Sequence, residues 1–214
     1  MLSSQWYLNH KVSDSESKSI NTLISFLSEN PEELGWRGKN KPDPKTNHGR
    51  EKIAEKFLIS KRKPILPNDP TTVPDQMVSE LLCIYFKYPR NRLNEMKVEH
   101  QHAMAAENMV GALLEKYIDS VARDFGWVHC VGELVKKVDF ITYQNNQWRL
   151  LQVKNRDNSE NSSSSAIRNG TDIEKWFRTF SRTGQTNWHN FPDKRLVGLL
   201  SEDKFISFVN NLYN

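Results

Sequence analysis

Two short runs of β-forming residues hinged on Asn145-Asn146 constrain this chain more than any other feature. Asparagine tolerates the left-handed backbone that a two-residue hairpin turn demands, so residues 138–143 and 148–154 are expected to pair antiparallel. Side chains alternate along a strand, which sends Gln152 and Lys154 to one face. Asp139, near the start of the first run, then comes opposite the end of the second. A carboxylate, an amide oxygen and an ammonium group converge. Such a set suits an oxygen-ligated divalent cation that activates water against a phosphodiester.

The flanking sequence supplies a frame. Residues 104–125 carry apolar side chains at helical spacing, among them Val110, Leu114, Ile118 and Phe125. At about 100° per residue these fall within about 60° of Glu107, which predicts Glu107 on the buried stripe and Glu115 and Asp119 turned away. A core-facing carboxylate is costly unless paired or metal-linked; the alternative is an acid complementing the helix dipole. A strand over 128–134 precedes the hairpin. Ile173, Trp176, Phe177 and Phe180 recur at three and four residues and predict a helix over 171–183, followed by a short strand over 195–200 and a closing helix over 202–212. Upstream, helices are expected at 20–27, 51–60 and 75–86. Between them lie a Gly/Pro/Lys-rich loop at 35–49 and a connector marked by Pro64, Pro67, Pro70 and Pro74. The last helix carries Met77, Leu81, Leu82 and Tyr85 on one side.

Asp139, twelve residues, then Gln152-x-Lys154 resembles the PD-(D/E)XK nuclease signature, with Gln152 standing where Glu or Asp is commoner. The element order over residues 104–214 resembles the core of that fold as well. The resemblance implies an α/β (α+β) domain, an αβββαβ mixed sheet flanked by helices, preceded by an N-terminal helical and basic extension. One nuclease domain would then span 1–214, with a DNA-contacting region at 1–103 and the catalytic core at 104–214. It implies Mg²⁺ held by Asp139, the Gln152 amide oxygen, the Val153 carbonyl and Glu107, with Lys154 positioning or deprotonating the attacking water. Gln152 removes one negative charge from the usual metal site, which weakens it unless Glu107, Asp157 or Glu160 compensates.

Charge distribution agrees with a nucleic-acid partner. Residues 1–36 hold two basic and five acidic side chains, whereas residues 37–63 hold ten basic and three acidic, a local +7 against +4 for the whole chain. Arg37, Lys39, Lys41 and Lys45 lie in that segment and read as a phosphate-contacting surface. Beyond the strand, Asn155, Arg156, Asn158, Asn161, Ser162, Ser163, Ser164 and Arg168 are side chains that contact phosphates and base edges. The stretch 152–168 resembles that of a small group of type II restriction endonucleases that cut within GG(A/T)CC. That resemblance implies double-stranded DNA as substrate, a homodimer for a palindromic site, and a cognate DNA methyltransferase. Another nuclease of the same fold, nicking in repair or at junctions, and a non-catalytic DNA-binding module are the alternatives. The longest apolar run, 81–86, is too short to cross a membrane, and residues 1–19 lack the core of a secretory signal. Cys83 and Cys130 sit singly in apolar runs as buried thiols. These features predict a cytoplasmic prokaryotic protein.

Overall fold

The computed structural model describes residues 2–67, 75–157 and 172–214. Two compact units emerge, Met1–Lys63 with Leu114–Asn214, and Pro64–Leu113.

The first unit is built on a four-stranded mixed sheet. Strands β1 (Val128–His129), β2 (Phe140–Gln144) and β3 (Gln147–Arg156) run antiparallel in sequence order, and β4 (Ile173–Thr179) adds parallel to β3. Asn145 (φ 51°) and Asn146 (φ 62°) both take left-handed backbone, as a type I′ turn requires, and Gln144 pairs with Gln147 across it. The hairpin is therefore as expected.

Helices α1 (Ser4–Asn9), α2 (Asp14–Glu29) and α3 (Asn47–Arg62) precede the sheet. Ser13 and Glu16 form a capping box at the start of α2, satisfying two orphan helix donors. Glu16 also takes both Arg62 nitrogens at 2.9 and 3.0 Å, stapling α2 to the end of α3, and the guanidinium holds the Glu16 carboxyl down at about 2. At the head of α3 a Cβ on Gly49 would lie 1.8 Å from the Asp43 carbonyl, so only glycine lets the loop close there. Ile20, Leu23 and Leu27 of α2 and Ile53 and Phe57 of α3 bury fully in one core with Leu134 and Ile141. Trp127, Phe140, Leu151 and Trp176 bury with Trp188 and Phe191, the Trp176 ring 5.0 and 5.1 Å from the latter two. The fold is mixed α/β, a four-stranded sheet flanked by helices, in keeping with a restriction-endonuclease-like core.

Three expectations about elements fail, wholly or in part, for identifiable reasons. Residues 171–183 do not form a helix: Ile173–Thr179 is strand β4. Its aromatic and β-branched residues satisfy both periods, and a free edge on β3 decides between them. Residues 195–200 do not form a strand. Asp193 caps a 3-10 turn at Lys194–Leu196, Gly198 takes φ 85°, and a single bridge, Val197 to Leu200, remains. The strand expected over 128–134 stops after two residues, because Gly132 (φ 70°) and Glu133 (φ 56°) turn the chain away. The closing helix, α6 (Glu202–Tyr213), is where the periodicity put it.

Within the second unit, Asp75 caps helix α4 (Gln76–Ile84), and Arg90 grips Glu80 with two hydrogen bonds of 2.9 and 3.0 Å. Helix α5 (Leu93–Ala122) begins in this unit and ends in the first. Among the described residues no helix is long and apolar enough to cross a membrane.

Candidate active site

The hairpin sets the site. Phe140 pairs with Leu151, and one step further the Asp139 N–H donates to the Leu151 carbonyl at 2.9 Å. The Asp139 carboxylate turns back over the strand and accepts from the Val153 N–H at 2.7 Å. Alternation then sorts β3. Leu151 and Val153 are buried, while half-buried Gln152 and exposed Lys154 and Arg156 share the opposite face. Asn155 falls on the Leu151 side, where its amide oxygen accepts from Arg178 Nε at 3.0 Å. It therefore leaves the row formed by Gln152, Lys154 and Arg156.

The helical acid differs from the one expected. Glu107 is exposed and lies in the part of α5 that belongs to the second unit, so it is not on a buried stripe. Glu115 and Asp119, expected to face away, are the partly and fully buried acids of the helix's second half. Asp119 is consumed structurally by Lys61 at 2.5 Å and Arg123 at 3.1 Å. Glu115 faces the hairpin: the His129 imidazole donates to it at 2.9 Å from Nε2, and that ring stacks on Phe140 at 4.9 Å. Burial first, and the Glu115 charge second, push the Asp139 carboxyl up to about 6, against the Val153 N–H and the positive charges of His129 and Lys154. Asp139, Glu115, His129, Val153 and Lys154 thus form one electrostatic group.

Two acids crowded in a half-buried place lower their energy by binding a hard cation, and carbonyl and amide oxygens fit the same chemistry. Among the described residues no cluster of three or more His, Cys, Asp and Glu has metal-holding geometry. A divalent ion at Asp139 and Glu115 would have to draw its further oxygens from groups other than carboxylates, such as an amide or a backbone carbonyl.

Residues 8–214 match the family model of the SinI restriction endonuclease. The chain belongs to the SinI restriction endonuclease family. It is 47% identical over 201 residues to the type II restriction enzyme SinI of Salmonella infantis, covering 91% of this chain and 86% of that protein. It is 48% identical over 199 residues to the type II restriction enzyme Eco47I of Escherichia coli, with the same shares. Membership of the SinI family makes this chain a type II restriction endonuclease.

The remaining site residues read from the sequence are accounted for as follows. Lys39, Lys41 and Lys45 are exposed, and exposed Arg37 pairs with Glu133 at 2.6 Å. Asp157 accepts from the Ser181 N–H at 2.7 Å, which ties the end of β3 to the residues after β4. Asn158, Glu160, Asn161, Ser162, Ser163, Ser164 and Arg168 lie outside the described residues. Three residues that the fold brings near the hairpin were not singled out from the sequence. Glu115 stands between the fully buried Leu114 and Ile118, a signal readable had the helix been phased from its second half. His129 lay in an expected strand without a partner to give it meaning. Lys175, exposed and in register with Gln152 on the parallel neighbour, was hidden by the helix expected there.

Proposed function

We propose that this SinI-family protein is a Mg²⁺-dependent endonuclease that hydrolyses both strands of double-stranded DNA at a short palindromic site. The target consistent with the resemblance of residues 152–168 is GG(A/T)CC. The observation that carries the reading is the Asp139 carboxylate, crowded by Glu115 and fixed by the Val153 N–H beside Gln152 and Lys154. Asp139, Glu115, the Gln152 amide oxygen and the Val153 carbonyl would hold the ion, with Glu115 replacing Glu107 in that role. A bound divalent cation supplies Lewis-acid polarisation of the phosphate and a more acidic water.

The chain's own groups do the rest. Lys154 Nζ orients the attacking water, relays its proton and offsets charge that builds on the phosphorane-like transition state. His129 holds Glu115 toward Asp139. Lys175, Arg156 and the exposed lysines at 39, 41 and 45 contact phosphates. Two copies related by a two-fold axis place one active site on each strand of the palindrome. A DNA methyltransferase that modifies the same sequence protects the host cytoplasm's own DNA.

Incubating the purified protein with a plasmid of known sequence, with and without Mg²⁺, tests the reading. Discrete fragments that map to GG(A/T)CC and appear only with the ion are expected. A smear would mean a nuclease without a site, and intact plasmid a binding module.

Two substitutions separate the acids and the amide. Glu115→Gln should lower the single-turnover cleavage rate at least about tenfold, roughly 1.4 kcal/mol of transition-state stabilisation, whereas Glu107→Ala should stay within about twofold of wild type. The reverse ranking returns the ligand role to Glu107. Gln152→Glu restores the commoner carboxylate. It should shift half-maximal Mg²⁺ to lower concentration and weaken metal-free DNA binding, since the added charge faces the scissile phosphate. Metal and binding titrations that both superimpose on wild type would remove Gln152 from the site.

A further inference from the structure

The second unit carries an apolar surface that the site does not use. Met77, Leu81, Ile84 and Tyr85 recur at three and four residues along α4 and its C-terminal cap, and Phe86 and Tyr88 follow directly. These six side chains are between 43% and 76% exposed, while Ser79 on the other flank of the helix is buried. The amphipathic helix has its apolar stripe outward. Six large side chains at these exposures, each roughly 200 Å² when bare, leave on the order of 700 Å² of mostly apolar surface. That exceeds the few hundred Å² usual for a patch on a monomer. It approaches the roughly 800 Å² per partner of a stable interface.

Charge selects the partner. The only charged side chain within α4 is Glu80, which Arg90 neutralises at 2.9 and 3.0 Å. Arg92 is likewise paired, with Glu95 at 3.0 Å. The stripe therefore presents one exposed cation, Lys87 between Phe86 and Tyr88 at its end, and no row of cations for phosphates. A mostly apolar helix face of this size, with a single cation at its edge, fits an isologous contact, in which the same residues meet across a two-fold axis.

We propose that the outward stripe of α4 with Phe86 and Tyr88 is the contact at which a second copy of this chain docks; this rests on the palindrome-cutting reading for its biological purpose. The test is the mass of the full chain in solution, without DNA or metal, by sedimentation and light scattering. Wild type should run at twice the 25.0 kDa chain mass. The double variant Leu81→Glu, Tyr85→Glu should run as a single chain at the same concentration, with self-association weakened at least about tenfold. Its circular dichroism should be unchanged, because neither side chain is in the core. Should the double variant unfold, Ile84→Lys alone serves in the same measurement. A wild type that runs as a single chain, or a folded variant that stays paired, overturns the proposal. A variant that stays paired and loses DNA binding would overturn it too, giving the face to DNA. Because mass is read without substrate, a wild-type dimer that these changes break but that itself cuts no DNA would leave the contact standing and sink the palindrome-cutting reading. An unaltered dimer that cuts at its site would do the opposite.

Discussion

Lys154→Ala should lower the cleavage rate by at least about a thousandfold, near 4 kcal/mol, while specific DNA binding, measured with Ca²⁺ in place of Mg²⁺, changes by less than about threefold. The split follows from where the lysine sits. Its ammonium stands exposed between Gln152 and Arg156 on one face of β3 and contributes to the field at Asp139. Acid–base assistance is worth a hundredfold to ten-thousandfold, and stabilising developing charge adds to it. Binding draws on many lysines and arginines across the surface, so one fewer matters little there. Equal turnover by wild type and variant would take Lys154 out of the mechanism.

Asp139→Asn should abolish Mg²⁺-dependent cleavage and at the same time make the metal-free fold more stable at pH 7.5. The carboxyl's folded value of about 6 lies above the 3.8 of an unperturbed aspartate, so the folded state holds the proton more tightly than the unfolded chain. Below pH 3.8 both states are protonated and the group is neutral in its effect. As pH rises from there to about 6, the unfolded chain releases its proton first and folding becomes less favourable. Above that range the ionised carboxylate costs on the order of 1–3 kcal/mol. Asparagine removes this cost while its amide oxygen still accepts from the Val153 N–H. Thermal unfolding without metal should therefore rise by several degrees at pH 7.5, and the gain should vanish near pH 4. In the wild type, proton and cation compete for one carboxylate, so the Mg²⁺ needed for half-maximal cleavage should climb as pH falls through 6. A variant melting no higher at pH 7.5 would mean that Asp139 is not under this strain.

The hairpin and the sorting of its faces were legible because they depend on local rules. Asn145-Asn146 dictates a turn with two left-handed residues, and alternation then sorts Gln152, Lys154 and Arg156 from Leu151 and Val153. What escaped was set by tertiary partners. The run at 173–179 has a helical spacing and a strand composition, and only the open edge of β3 chooses between them. With that choice goes the placement of Lys175, which comes into register with Gln152 only once the run is a strand. Along α5 the hydrophobic period continues past the point where burial changes, so a phase taken at Glu107 predicts burial for an exposed carboxylate and exposure for the half-buried Glu115. Asp119 shows the same limit from the other side, a buried acid whose partners Lys61 and Arg123 explain it without any catalytic role.

The two-asparagine turn has a meaning beyond closing a hairpin. Strand geometry is binary, so a one-residue slip of β3 against β2, past the Gln144–Gln147 pair that the turn sets, would turn every side chain on β3 to the opposite face. Leu151 and Val153 would trade places with Gln152 and Lys154, putting an amide and an ammonium into the core and leucine and valine on the open face. The turn is thus the chain's phase reference. Drift in this hairpin is confined to steps of two, and the same dipeptide that closes the loop also decides which face of the sheet carries Gln152 and Lys154.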